Sequence, residues 1–127
     1  MKRLVSLLAT LMFGFCLGCV GDSHESLAAE NMTTMKELIA TLETVKDKET
    51  AKAAKPKLIS LSQQMNKLNE RQVKLSAPGE AEMKSMQSKY GKEMEELQRK
   101  MMGVLMRIQL DPAIQTELSD IDMKAMK

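Results

Sequence analysis

Methionine is the residue type in this chain whose number and spacing suggest chemistry. Thirteen of the 127 residues are methionine, and a thioether sulfur is a soft ligand suited to Cu(I). Met101, Met102 and Met106 form the densest cluster and are the candidate metal ligands. Further pairs with two intervening residues are Met32/Met35, Met83/Met86 and Met123/Met126. Most of these methionines also fall on the apolar face of predicted helices, where a flexible side chain fills the core. The sequence therefore favours packing over metal binding and predicts no cofactor.

Side chains suited to catalysis are scarce. His24 is the single histidine, tryptophan is absent and aromatic residues make up 2% of the chain. A Ser/His/Asp arrangement and a di-iron Glu-x-x-His site both need a histidine in the folded body, whereas His24 falls in a predicted tether. Stacking of nucleic-acid bases needs aromatic platforms that the chain lacks. We therefore expect a protein that is not an enzyme, that binds no nucleic acid and for which no small-molecule substrate is predicted.

The first eighteen residues have the organisation of a secretory signal. Lys2 and Arg3 precede an uncharged apolar stretch over 4–17, and a small residue and Cys19 follow it. The apolar stretch is shorter than the roughly 20 residues of a membrane-spanning helix. The sequence therefore predicts a signal peptide over 1–18.

The end of this segment resembles the lipobox of bacterial lipoproteins. Gly18 and Cys19 match that motif, whereas Cys16 and Leu17 depart from its usual Leu followed by Ala or Ser. The resemblance covers four residues and implies that Cys19 is lipidated, becomes the new N-terminus and anchors the protein to a membrane. Two alternatives remain open. Cleavage after Ala28 would release a soluble exported protein, and an uncleaved apolar segment would itself be the anchor.

Removal of the predicted signal peptide changes the cysteine content and the charge. Cys16 and Cys19 are the two cysteines of the chain, so a mature domain has no disulfide and no cysteine-based zinc site. The full chain has 19 basic and 17 acidic residues. Loss of Lys2 and Arg3 leaves 17 of each sign, so a basic surface for nucleic acid is not expected.

The remainder of the chain predicts helices and no strands. Small and polar residues over 19–30 indicate a flexible tether, and a helical domain is expected over 31–127. Apolar residues recur there three and four positions apart, as on one face of a helix. The predicted helices run from Asn31 to about Lys46, from Thr50 or Ala54 to about Leu75, from Glu80 to about Leu110, and from Pro112 to about Met123. The start of the second helix is open because Pro56 either lies within it or precedes it by little.

Short connections predict that these segments fold back on one another. The expected fold is all-α: an antiparallel bundle of three long or kinked helices plus a short C-terminal helix, with coiled-coil-like spacing. Residues 46–74 have a net charge of +5 and residues 76–122 a net charge of −3, which favours their apposition. A core without aromatic side chains is small for a domain of about 100 residues, so marginal stability or oligomerisation is expected.

These features together indicate a small exported helical protein. The predicted location is the cell envelope, with a lipid anchor facing the periplasm or the exterior, or else a secreted or periplasmic chain. The predicted role is structural or protein-binding, through self-association or a protein partner. Soft-metal binding through the methionine clusters is one alternative. The other is chaperone-like binding of apolar segments, for which flexible methionine surfaces are suited.

Overall fold

The computed structural model of the chain describes residues 21–121, and these residues form four α-helices. The helices are α1 (His24–Glu43), α2 (Lys48–Val73), α3 (Glu80–Gln109) and α4 (Pro112–Leu118). Residues 21–121 contain no strand, and the predicted all-α helical bundle is confirmed. Over the same residues, no helix combines the length and the apolar character needed to cross a membrane. The predicted signal peptide over 1–18 and the predicted lipidation site Cys19 lie outside the described residues.

Helix α1 lies between α2 and α3. It packs against both, whereas α2 and α3 do not approach each other closely within 21–121. Helix α2 runs antiparallel to α1. Helix α3 runs parallel to α1, because Lys89 pairs with Glu25 near the start of α1 and Arg107 bonds to residues at the end of α1. Helix α4 closes one end of the bundle by packing on α2 and α3.

The expected charge apposition of residues 46–74 and 76–122 is wrong for the two long helices. Helix α1 separates α2 from α3, and ion pairs connect α1 to each of them. Lys36 pairs with Glu93 on α3, and Glu30 pairs with Arg71 on α2. The two segments do meet near α4, where the Nζ atom of Lys55 on α2 lies 2.9 Å from an Asp120 carboxylate oxygen.

The hydrophobic core sits where the second half of α1, the first half of α2, the last third of α3 and α4 meet. Its buried members are aliphatic side chains and methionines, and each fully buried leucine or isoleucine contributes about 1.5–3 kcal/mol. They include Leu38, Ile39, Leu42, Val45, Ala51, Ala54, Leu58, Leu61, Leu97, Met101, Val104, Ile108, Ile114, Leu118 and Ile121. Tyr90 is half-buried and packs against this cluster.

Helix α1 begins seven residues earlier than predicted. Ser23 is its N-cap and forms a capping box with Ser26, and Leu27 is buried. The predicted tether over 19–30 is therefore wrong from His24 onward, where the chain is helical. Within the predicted part of α1, Thr34 and Thr41 occupy buried positions. Their hydroxyls donate to the carbonyl oxygens one turn earlier, which satisfies them without a polar neighbour.

The other helix boundaries lie closer to the predictions. Asp47 caps α2 through a capping box with Thr50, so the earlier of the two predicted starts is the better one and Pro56 lies inside the helix. Asp111 caps α4 by accepting hydrogen bonds from the amides of Ala113 and Ile114. Helix α4 ends at Leu118, before the predicted end at Met123, a residue outside the described range.

Candidate interaction surface

The last third of α3 exposes a row of large apolar side chains. Met102, Met106 and Leu110 follow one another at intervals of four residues, so they share one face of the helix. Their side chains are 66%, 63% and 83% exposed. We call these three residues the α3 stripe. Charged or polar side chains are the usual occupants of an outer helix face, so this surface is a candidate for contact with another molecule.

The inner face of α3 fixes the direction in which the α3 stripe points. Leu97, Met101, Val104 and Ile108 are buried against the core on the opposite side of the helix. Arg107 adds a polar attachment. Its Nη2 atom donates to the carbonyl oxygens of Leu42, at 3.1 Å, and Val45, at 3.0 Å. These contacts hold the α3 stripe outward at the end of the bundle where α1 terminates.

Gly103 lies on the same outer face as Met106 and Leu110, three and seven residues before them. A Cβ atom built at this position would meet no atom within 4 Å. Packing within the chain therefore does not require glycine there, although glycine costs about 1 kcal/mol relative to alanine inside a helix. A glycine beside an apolar row allows the backbone of a second helix to come close.

The opposite end of the bundle is held together by Arg71 of α2. Its Nε atom donates to both carboxylate oxygens of Asp22 at 3.1 Å, and its terminal nitrogens donate to Glu30 at 2.7 and 3.0 Å. Hydrogen bonds from Arg71 lower the pKa of the Asp22 carboxyl. They also raise the pKa of Arg71 above its already high value. The first residues of the described chain are therefore fixed to the end of α2.

The same end contains a cavity of about 180 Å³ between α1, α3 and the loop after α2. Its lining includes His24, Asn31, Met86 and Met94. The His24 Nε2 atom donates to the Ser76 carbonyl oxygen at 2.7 Å, so this nitrogen carries a proton. Met86 and Met94 are eight residues apart, which is about 12 Å along a helix. Because metal–sulfur bonds are about 2.3 Å long, this spacing opposes binding of one ion by both sulfurs.

The three methionines predicted as candidate metal ligands do not converge. Met101 is buried in the core, whereas Met102 and Met106 lie on the outer face. Neighbouring residues in a helix point about 100° apart, which separates Met101 from Met102. Among residues 21–121, no cluster of three His, Cys, Asp or Glu side chains is suited to hold a metal. Met123 and Met126 lie outside the described residues.

Comparison with known protein families, with curated proteins and with solved structures finds no match to this chain.

Proposed function

We propose that this chain is an exported, lipid-anchored structural protein of the cell envelope whose copies associate side by side through the α3 stripe. The observation that carries the proposal is the row of Met102, Met106 and Leu110 on the outer face of a helix whose inner face is already packed. Gly103 beside this row fits a helical partner, because it permits close approach of a second backbone.

The anchoring part of the proposal rests on Cys19 and on the contacts made just after it. Cleavage after Ala28 would remove Asp22, the Ser23 capping box and the buried Leu27 from the folded domain. Cleavage before Cys19 leaves all of these in place. The structure of the helical body therefore favours lipidation at Cys19 over release of a soluble chain beginning at Ala29.

The arrangement of the ends favours a second copy as the partner. Gly21 lies at one end of α1 and the α3 stripe at the other, so an anchored molecule carries the stripe away from its attachment point. Two copies anchored in one leaflet can pair their stripes only with the α3 helices parallel. Glu95 and Arg99 continue the row toward the start of α3. In such a pair each Arg99 lies opposite Arg99 of the other copy and within one turn of its Glu95, whose opposite charge offsets the repulsion.

The contact is expected to be weak in solution and to form on the membrane. A stable interface buries roughly 800 Å² of surface on each partner. Three apolar side chains per copy bury less than this area. Confinement to a membrane raises the effective concentration of the two copies without any new contact. Association should therefore depend on the lipid anchor.

The first test is the intact mass of the full-length protein isolated from membranes, with Cys19→Ser as the paired variant. The expected mass is that of residues 19–127 plus acyl chains, and the variant should lose the acyl mass. A soluble parent chain beginning at Leu27 or Ala29 would overturn the anchoring proposal.

The second test is oxidative crosslinking in membranes with the Met106→Cys variant. Cys19 is blocked by its lipid under the proposal, so the introduced thiol is the reactive one. A disulfide between two copies is expected, because parallel stripes place the two 106 positions opposite each other and a disulfide needs Cβ atoms about 4 Å apart. Met83→Cys, at a 52% exposed position on another face of α3, is the matched control. Equal crosslinking of the two variants, or none, would contradict the interface.

A further inference from the structure

The end of the bundle opposite the α3 stripe also exposes apolar surface. Val73, the last residue of α2, is 84% exposed, and the following loop contains exposed Ala77 and half-buried Leu75 and Pro78. We call Val73 and this loop the α2 end. No packing role inside the described chain accounts for so exposed a valine at the tip of a helix.

The start of the described chain is fixed to the α2 end by two contacts. Asp22 is held by Arg71, two residues before Val73, and His24 donates to the carbonyl oxygen of Ser76 in the loop. The capping box of Ser23 and Ser26 makes the intervening residues helical. The chain therefore has no slack between Asp22 and the folded body.

We call the contacts of Asp22 and His24 with the α2 end the clamp. The length of chain between the clamp and the lipid anchor sets how far the α2 end can lie from a membrane. If Cys19 is the acylated residue, Asp22 lies three positions after it, with Val20 and Gly21 between them. Three fully extended residues reach at most about 11 Å, and the headgroup layer on one side of a bilayer is roughly 5–8 Å thick. A domain clamped at Asp22 therefore stays within reach of the headgroups.

We infer that the α2 end is a membrane-contacting surface whose occupant is the lipid headgroup layer, with Val73 inserted among the headgroups. This inference rests on the proposed lipid anchor. Basic Arg71 and Lys74 stand beside acidic Asp22, Glu30 and Glu70 at this end, so it has no excess of positive charge. Contact should therefore follow from the anchor and from apolar burial, and it should not require anionic lipid.

The chain contains no tryptophan, which permits a direct test with a single introduced reporter. Val73→Trp and Leu110→Trp place tryptophan at two positions of nearly equal exposure, 84% and 83%, at opposite ends of the bundle. Each full-length lipidated variant is placed in zwitterionic phosphatidylcholine vesicles, with and without brominated acyl chains. Tryptophan favours the headgroup region, so the Val73→Trp emission should be quenched by the brominated chains severalfold more strongly than that of Leu110→Trp, which pairing between copies would shield from lipid.

A spacer variant of the Val73→Trp chain tests the role of the short connection. Ten Gly/Ser residues inserted between Val20 and Gly21 give a flexible linker with a span of about 17 Å. This insertion should weaken the quenching severalfold. Equal quenching of Val73→Trp and Leu110→Trp in acylated protein would overturn the membrane-contacting surface while leaving the anchor intact. Absence of acyl mass in the same samples would overturn both.

Discussion

Arg71 and Asp22 join the last turn of α2 to the residue before the N-cap of α1, across 49 positions of sequence. The Arg71 Nε atom lies 3.1 Å from each oxygen of the Asp22 carboxylate. This contact fixes Asp22 against the end of α2. Ser23, the next residue, caps α1 through its capping box with Ser26.

Replacement of Arg71 by glutamine should loosen the start of α1 without unfolding the bundle. The ion pairs of Arg71 are more than one third exposed, and exposed pairs contribute little to global stability because solvent screens them. Amide hydrogens of Leu27 and Ala28 should exchange faster in Arg71→Gln, while the Tm changes little. Arg99→Gln is the control, since Arg99 lies on the outer face of α3. Equal exchange at the start of α1 in both variants would contradict the clamp.

Acid should destabilise the protein through carboxylates whose pKa is lowered in the fold. Hydrogen bonds from Arg71 lower the pKa of Asp22, and those from Thr50 lower the pKa of Asp47. A carboxyl with a lowered folded pKa stabilises the fold above its unfolded value, about 3.9 for aspartate. That contribution is lost as the pH falls through the folded pKa. The Tm should be level from pH 7 to about 5 and fall only slightly below about pH 4, because both carboxyls are partly exposed and solvent weakens their contribution.

Two asparagine variants separate these contributions. Asp22→Asn and Asp47→Asn each remove one titrating group, so the fall of Tm in acid should be shallower than in the parent chain. The Asp47→Asn variant retains a side-chain oxygen that can cap α2. A steeper acid transition in either variant would show that the sign of the linkage is wrong.

Truncation of Leu42 and of Leu110 should show that a core leucine contributes to the stability of the fold and that a leucine of the α3 stripe does not. Leu42 is fully buried, whereas Leu110 is 83% exposed. Leu42→Ala creates a cavity and should lower the free energy of unfolding by about 2–5 kcal/mol. Leu110→Ala should change it by less than about 0.5 kcal/mol. Urea unfolding of the detergent-dispersed protein measures both, and similar losses would show that Leu110 is covered in the isolated chain.

The boundaries of α3 and α4 can be predicted from strong local signals in the sequence. Asp111 followed by Pro112 is a strong start signal, and the Pro78-Gly79 pair marks the break before α3. The sequence does not predict the first seven residues of α1, because each local signal for the start of this helix is weak. Ser26 replaces the Glu or Gln usual in a capping box, and Leu27 is the one large apolar residue over 23–31.

A helix face becomes a candidate surface when no other helix of the fold covers it. The spacing of apolar residues along the sequence does not show which helix packs on which face. Apolar residues spaced three and four apart run along α3 from Met83 to Ile108, yet they are fully buried only from Leu97 onward, while Tyr90 and Met94 are half-buried and Met83 is exposed. Met102 and Met106 lie off the row of apolar residues spaced three and four apart, and this is the sequence signal that identifies the α3 stripe. Val73 had no such signal, since its exposure follows from the position at which α2 ends.

Gly103→Ala should affect the fold and the association of copies in opposite directions. Its Cβ would meet no atom within 4 Å, so alanine should raise the free energy of unfolding by about 1 kcal/mol through helix propensity. Parallel pairing of the α3 stripe would place this methyl group against the second helix. Disulfide yield in a Met106→Cys background should therefore fall severalfold.

Gly91→Ala is the matched control for this prediction. Its Cβ would lie 3.5 Å from the Gln87 Cγ atom, an ordinary contact, so the same gain in helix propensity is expected. Gly91 lies outside the region of Met102, Met106 and Leu110, and its replacement should leave the disulfide yield unchanged. Stabilisation by both alanines with loss of crosslinking in Gly103→Ala alone would assign Gly103 to the contact between copies. Unchanged crosslinking in both variants would mean that the two α3 helices do not meet at this glycine.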